Sequence, residues 1–348
     1  MIVKLGLKGH DLLLQLEKLD SYPDVHKLQL INLILAVVEA AGIENTEAAL
    51  KSSKGLQAVL SVIADNKNSK LVYSATGLVY LLSQNFKNQV PLLKIPNICT
   101  CLLTFIRTSK PGRERARLLA ICTLNNMAIA VDNHSELVNN PQLMAVLLRI
   151  IRTNCVAKVV AIALVCNLAK RKDNRIILFE IPTLFELLVS TMFITRDNEK
   201  QAVMALAAIH LLTDPPRVSP TEGMGDAYRI KMMNFPYLFD VLLESAHKFP
   251  NEDVKRELAY ISLQNLSVEP KNGKLMFSSK RMMWVVLDGL RQVAGANSVN
   301  DLRICSMSII GNMAAADGVA AEMIRNGEVV PRLMSFFSER GEYVLKER

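Results

Sequence analysis

Aromatic side chains are scarce, 5% of the 348 residues, and Trp284 is the single tryptophan. A nucleic-acid surface interleaves aromatics with a strong basic excess. The net charge here is +8, from 41 basic and 33 acidic residues. That moderate excess allows an acidic partner and does not favour nucleic acid. Cysteine is also sparse. The six residues Cys99, Cys101, Cys122, Cys155, Cys166 and Cys305 fall far below the density of a disulfide scaffold, and most lie in apolar runs. They read as reduced core thiols of a reducing compartment. Cys99 and Cys101, two apart on a helix, point about 200° apart and cannot share a metal. No uncharged apolar run reaches the ~18 residues of a membrane span. The first twenty residues lack a basic leader, apolar block and cleavage site. The expected location is cytoplasmic or another reducing intracellular compartment. The alternative is mitochondrial without a recognisable cleavable presequence.

Catalytic constellations are missing too. Five histidines are scattered, at 10, 26, 134, 210 and 247, with neither His-Glu-x-x-His nor Cys-x-x-Cys spacing. There is no Gly-x-Ser-x-Gly elbow and no phosphate-cradling loop ending in Gly-Lys-Ser/Thr. Gly223-Met224-Gly225 is too short for a dinucleotide fingerprint. No catalytic residue, metal or cofactor is expected.

What is present is hydrophobicity with a helical period. Half of the residues are hydrophobic, and glycine and proline together number only 28. Leu143, Val146, Leu147, Ile150 and Ile151 form one stripe at three- and four-residue spacing. Leu184, Leu187, Leu188 and Met192 form another. Sustained period-two alternation is absent, so the chain is all-α.

The stripes repeat. One segment type opens with proline and an apolar residue two later: Pro96, Pro141, Pro182, Pro236 and Pro331. Proline suits a first helical turn because the missing N–H has no helical partner there, so each predicts a helix start. A second signature follows, ending in Asn or Leu, an apolar residue and a small or polar one. Its anchors are Leu81, Asn126, Asn167, Leu211, Asn265 and Asn312, at spacings of 45, 41, 44, 54 and 47. A recurrence of ~40–47 residues marks a helical solenoid, whose units bury their apolar faces only by stacking.

Each unit resembles an armadillo repeat: a short helix, a second helix with proline near its start, and a longer third helix ending in a motif like Asn-Leu-Ala. The clearest unit predicts helices over 133–139, 140–152 and 155–169; the next, over 173–181, 182–194 and 198–213. HEAT repeats, the two-helix alternative, need no short first helix. The resemblance implies a right-handed α-solenoid of about six to seven armadillo-like units with incomplete caps. Residues 1–42 read as N-terminal capping helices, 43–340 as the repeat array and 341–348 as a tail. Pro331 opens a second helix of an incomplete terminal unit. The long spacing of 54 places an insertion at 214–227, with three prolines and two glycines. It reads either as a tolerated surface loop or as a partner-contact or regulatory loop.

In armadillo proteins the third helices line a groove. Families such as importin alpha and beta-catenin use the motif asparagine to hydrogen-bond the main chain of an extended peptide. The matching residues are Asn126, Asn167, Asn265 and Asn312; Leu81 and Leu211 depart from the pattern. His210, beside an anchor, corresponds to Tyr80 and suggests packing or groove lining. Importin-like grooves carry tryptophan four residues before the asparagine. Here Cys122, Ala163, Ile261 and Ser308 stand there, with Leu119, Val160, Leu258 and Cys305 seven before. The groove is therefore apolar or small, without an acidic row, which disfavours import-signal recognition. The asparagines retain two readings, a peptide-contacting ladder or fold retention. Two basic clusters, Arg107, Lys110, Arg113, Arg115 and Arg117, then Lys170, Arg171 and Lys172, read as solvated helix junctions or as a patch for an acidic surface.

These residues predict a non-enzymatic protein-binding scaffold whose partner is a protein segment, within a multi-subunit complex or free. The alternative is a permanent structural subunit of a large assembly, at the periphery of an organellar membrane complex or cytoskeletal. The positive mean hydropathy, +0.21, speaks for the latter.

Overall fold

The computed structural model describes residues 15–41, 53–65, 68–153, 155–194, 199–214, 224–247, 253–291, 302–335 and 338. Among these residues the structure is helical, with no strand, and the chain divides into two compact units, 1–174 and 175–348.

The first unit contains α1 (Asp24–Ala41), α2 (Ser53–Asp65), α3 (Ser69–Gln84), α4 (Phe86–Leu93) and α5 (Ile98–Thr108). It continues with α6 (Glu114–Met127), α7 (His134–Val138), α8 (Pro141–Arg152) and α9 (Ala157–Ala169). The helix α10 (Lys172–Glu180) begins in it and runs into the second unit. There follow α11 (Leu184–Ile194), α12 (Glu199–Thr213), α13 (Met224–Met233), α14 (Leu238–His247) and α15 (Asp253–Ser267). The last are α16 (Pro270–Ser278), α17 (Lys280–Arg291), α18 (Leu302–Ala314) and α19 (Val319–Arg325), before a final helical stretch over 329–335.

The elements come as short, middle and long helices: α4–α5–α6, α7–α8–α9, α10–α11–α12, α13–α14–α15 and α16–α17–α18. The short first helix distinguishes these units from two-helix repeats. In the first unit the long helices α1, α3, α6 and α9 pack side by side, as do the middle helices α2, α5 and α8. In the second unit α12, α15 and α18 form the long row, and α11, α14 and α17 the middle row. Between the rows lies a core of aliphatic residues, including Leu102, Leu124 and Leu164 in one unit and Leu206, Leu263 and Ile309 in the other.

The prolines divide into two kinds. Pro141 occupies the first turn of α8, as its sequence predicts, and Asn140 caps that helix by accepting from the N–H groups of Gln142 and Leu143, both at 3.0 Å. Pro96, Pro182 and Pro236 instead precede their helices. Each is the second residue of a β-turn closed by a backbone bond: Ile98 N to Ile95 O, Leu184 N to Ile181 O and Leu238 N to Phe235 O, all 3.2 Å. The residue after each proline is left-handed: Asn97 at φ 65°, Thr183 at φ 67° and Tyr237 at φ 64°. That is the third position of a type II turn, which glycine or asparagine fills most easily. Proline here ends the first helix sharply, and the second helix starts two residues later than its position suggests.

The expected insertion at 214–227 lies largely outside the described residues, in 215–223. Its last four residues are helical, because α13 starts at Met224. Of the terminal regions, 1–14 and 341–348 lie outside the described residues.

One glycine is required by packing. A Cβ on Gly289 of α17 would stand 2.8 Å from the ring of the fully buried Tyr260 on α15 and collide with Ser306 Oγ on α18. The phenol of Tyr260 is fixed because its hydroxyl donates to Val285 O at 2.7 Å. Gly289→Ala is expected to destabilise the second unit by about 1–3 kcal/mol, the usual cost of overpacking. Thermal unfolding followed by circular dichroism would show this as a lowered midpoint.

Candidate functional site: the asparagine rows of the third helices

The four anchor asparagines sit near the C-terminal ends of long helices, Asn126 and Asn167 on α6 and α9, Asn265 and Asn312 on α15 and α18. Each turns its amide toward the long helix before it. Asn126 Nδ2 donates to Ser83 Oγ at 3.0 Å, Asn265 Nδ2 to Thr213 Oγ1 at 3.2 Å, and Asn312 Nδ2 to Ser267 Oγ at 3.0 Å. The hydroxyls pass the bond on. Ser83, Thr213 and Ser267 donate to the carbonyls of Tyr80, His210 and Gln264, three residues back. Asn167 differs because Ala128 stands where a hydroxyl would be. Its amide donates to Asn125 Oδ1 at 3.1 Å instead, and its oxygen accepts from Lys170 Nζ at 2.7 Å. The side-chain amide oxygens (Oδ1) of Asn126, Asn265 and Asn312 have no hydrogen-bond partner among the described residues.

Around the asparagines the long helices expose what the sequence places there. Leu119 and Cys122 on α6, Val160 and Ala163 on α9, Leu258 and Ile261 on α15 and Ser308 on α18 are half-buried, while Cys305 is buried. At the start of the first unit's row a groove of about 520 Å³ opens between α1, α3 and the N-terminus of α6. Tyr73, Lys70, Arg113 and Arg115 line it.

The basic clusters are dispersed. Arg113 is buried, Arg115 faces the groove just described, and Arg117 pairs with Glu114 at 3.7 Å. Arg107 lies on the other row, between α5 and α8; Lys110 is exposed in the turn between α5 and α6. Lys170 joins Asn167, Arg171 pairs with Asp173 at 3.4 Å, and Lys172 opens α10.

A second asparagine series, which the repeat motif does not include, lies seven residues after the anchors. Asn88, Asn133, Asn174 and Asn272 are 1–3% exposed. Their amides donate across six residues to the carbonyls of Leu82, Met127, Leu168 and Leu266, at 2.8–3.0 Å. Each thereby satisfies an orphan carbonyl at the end of a long helix. Asn133 and Asn272 reach the preceding repeat as well, bonding Gln89 O at 2.9 Å and Arg229 O at 3.0 Å. The signal was legible as a constant offset of seven, polar residues in otherwise buried positions. After Leu211 the series breaks because the insertion intervenes. Tyr228 on α13 takes the role: its hydroxyl donates to Leu212 O at 3.0 Å and lies 3.4 Å from Arg175 O. Burial raises its pKa, so the phenol keeps its proton.

His210 sits beside this junction. Burial, then the Arg175 cation, holds its ring below the usual histidine range, with Asp214 opposing. Arg175 is buried and bonds Asp214 through both the carboxylate, at 2.8 Å, and the backbone carbonyl. Among the described residues no group of three His, Cys, Asp or Glu side chains could hold a metal. All six cysteines are free; burial pushes Cys99 and Cys166 up to about 12 and Cys101 to about 11, so these thiols stay protonated. No single described helix is long and apolar enough to cross a membrane.

Stacked three-helix units with this register define an armadillo-type α-solenoid fold. No family model and no curated protein sequence matches the chain. Among solved structures, it is similar to a chain in the structure for a conserved phosphorylation switch controlling the cadherin–beta-catenin interaction. The TM-score is 0.66 at 18% identity, over 88% of this chain and 57% of that one. It is also similar to UNC-45 from Drosophila melanogaster, with TM-score 0.56 and 12% identity over 86% of this chain and 34% of that one. An engineered protein matches at TM-score 0.58 and 11% identity, over 75% of this chain and 96% of its own. The chain thus spans little more than half of one natural neighbour and a third of the other. At these identities the likeness is one of fold.

Two outcomes follow from the polar series. Tyr228→Phe leaves the carbonyl of Leu212 without its donor and is expected to cost about 1–3 kcal/mol, read from urea unfolding. His134, next in sequence to Asn133, bonds Ala128 O through Nε2 at 2.8 Å, while burial holds its pKa below the ordinary value. The unfolded ring protonates below about pH 6.5 while the folded ring resists, so stability falls as pH drops below that value. Melting midpoints at pH 7.5 and 5.5 should show a smaller decrease in His134→Gln than in the parent.

Proposed function

We propose that the chain is a non-enzymatic protein-binding scaffold that holds a partner segment against its long helices. The observation that carries this reading is that, within each unit, half-buried apolar positions stand one or two turns before an anchor asparagine on the same long helix, Leu119 before Asn126 in one and Ile261 before Asn265 in the other. Apolar positions such as Leu119 and Ile261 would exclude water from a bound segment, and the side-chain amide oxygens of Asn126, Asn265 and Asn312 would accept from its main-chain N–H groups. The amide hydrogens are engaged within the fold, so the asparagines would serve both readings that their sequence left open. The fold is shared with helical-repeat neighbours, among them one from work on the cadherin–beta-catenin interaction, which supports a protein partner. Free thiols support a reducing compartment, cytoplasmic or mitochondrial.

The second reading, a permanent subunit of a larger assembly, draws on the middle helices of the second unit. There Tyr237 is 68% and Trp284 45% exposed, aromatics that a permanent interface would cover.

The test is capture of partners by the full chain from its own cells, identified by mass spectrometry and then re-measured with purified components. Leu119→Glu combined with Ala163→Glu should weaken the principal partner at least about tenfold, ~1.4 kcal/mol, with the fold intact by circular dichroism. Binding indifferent to those changes but lost in Trp284→Ala would favour the subunit reading.

A further inference from the structure

The middle helices of the first unit hold a site that the long-helix face does not use. Between α5 and α8 lies a groove of about 370 Å³, within the range of ligand clefts. Leu103, Ala145 and Val146 form its apolar lining, and Arg107 and Arg149 bring two guanidiniums to it.

Arg149 is held in place. Its Nη2 donates to Ile106 O at 3.0 Å and its Nη1 to Arg107 O at 3.4 Å. Those carbonyls end α5, where a cation is favoured by the helix dipole. A side chain already ordered loses little further freedom when it binds. Arg107 is exposed, and its guanidinium makes no hydrogen bond or ion pair among the described residues. Neither helix carries an acidic residue: α5 reads ICTCLLTFIRT and α8 reads PQLMAVLLRIIR. Two nearby carboxylates are placed elsewhere. Glu114 pairs with Arg117, and Glu136 acts on Cys99 at the opposite end of α5.

We propose that this groove docks an acidic segment of a partner protein, with one aliphatic side chain between Leu103 and Val146 and a neighbouring Asp or Glu between Arg107 and Arg149. Arginine–carboxylate bonds are charge-assisted and directional, so they would fix the segment's register while the apolar floor supplies contact area. The unbalanced positive rim would also speed encounter at low salt. This docking site stands on different helices from the long-helix face and does not depend on it.

The experiment is selection of a phage-displayed random peptide library on the immobilised full chain, followed by fluorescence anisotropy of the enriched peptides. The expected result is a class pairing an aliphatic residue with Asp or Glu, weakened tenfold or more by Arg107→Glu and by the groove-filling Ala145→Trp. Its affinity should fall from 50 to 300 mM salt and be unchanged in Leu119→Glu. Arg107→Glu removes no hydrogen bond of the fold, so its melting midpoint should match the parent's and keep the test valid if Ala145→Trp misfolds. Failure to enrich an acidic class, enriched peptides indifferent to Arg107→Glu, or tighter binding of a DNA oligonucleotide of equal charge would each overturn the proposal.

Discussion

Four long helices, α3, α6, α9 and α15, share one problem: each ends inside the protein, and its last carbonyls need donors. The buried asparagines Asn88, Asn133, Asn174 and Asn272 supply them, and two of these amides also bond the repeat before. Leaving such carbonyls unpaired would cost about 1–3 kcal/mol each, a large share of the stability of a domain. Stacking apolar faces gives the units their attraction, which is nondirectional. The amide bonds give it a register.

The anchor asparagines add a second, shallower layer of the same kind. The N–H groups of Asn126, Asn265 and Asn312 reach hydroxyls on the previous long helix, whereas Asn167, which follows Ala128, bonds Asn125 instead. Ser83, Thr213 and Ser267 precede Asn126, Asn265 and Asn312, whereas Ala169 precedes Leu211 in the series. In these three pairs donor and acceptor sit at matching places of consecutive repeats in the sequence as they do in space. Each of these three asparagines thus joins two repeats through its nitrogen and leaves its side-chain oxygen without a partner among the described residues.

The helical class, the three-helix unit and the long-helix boundaries were legible, because period and proline placement repeat often enough to average out local noise. The helix predicted over 198–213 is Glu199–Thr213, and that over 155–169 is Ala157–Ala169. What stayed hidden were choices between local conformations of similar energy. Pro96, Pro182 and Pro236 read like helix starts, yet the left-handed residues after them make turns, and Thr183 and Tyr237 carry no glycine or asparagine to announce it. The buried asparagine series does carry a sequence signal, its constant offset of seven from the anchors, but that spacing acquires a meaning only once its carbonyl partners, which belong to residues of any type, are placed in space. Tyr228 shares no chemistry with asparagine except a donor, and no spacing rule leads to it.

That substitution of Tyr228 for an amide has an architectural meaning. In the regular repeats the donor is counted from the anchor, so chain added between them would carry it out of reach. A donor that rides on the following helix, α13, and bonds back to Leu212 frees the intervening length from that count. The junction between Asp214 and Met224 is thereby the position where evolution or a protein engineer can splice in foreign sequence, a sensor loop or a whole domain, while the frame on either side keeps its alignment.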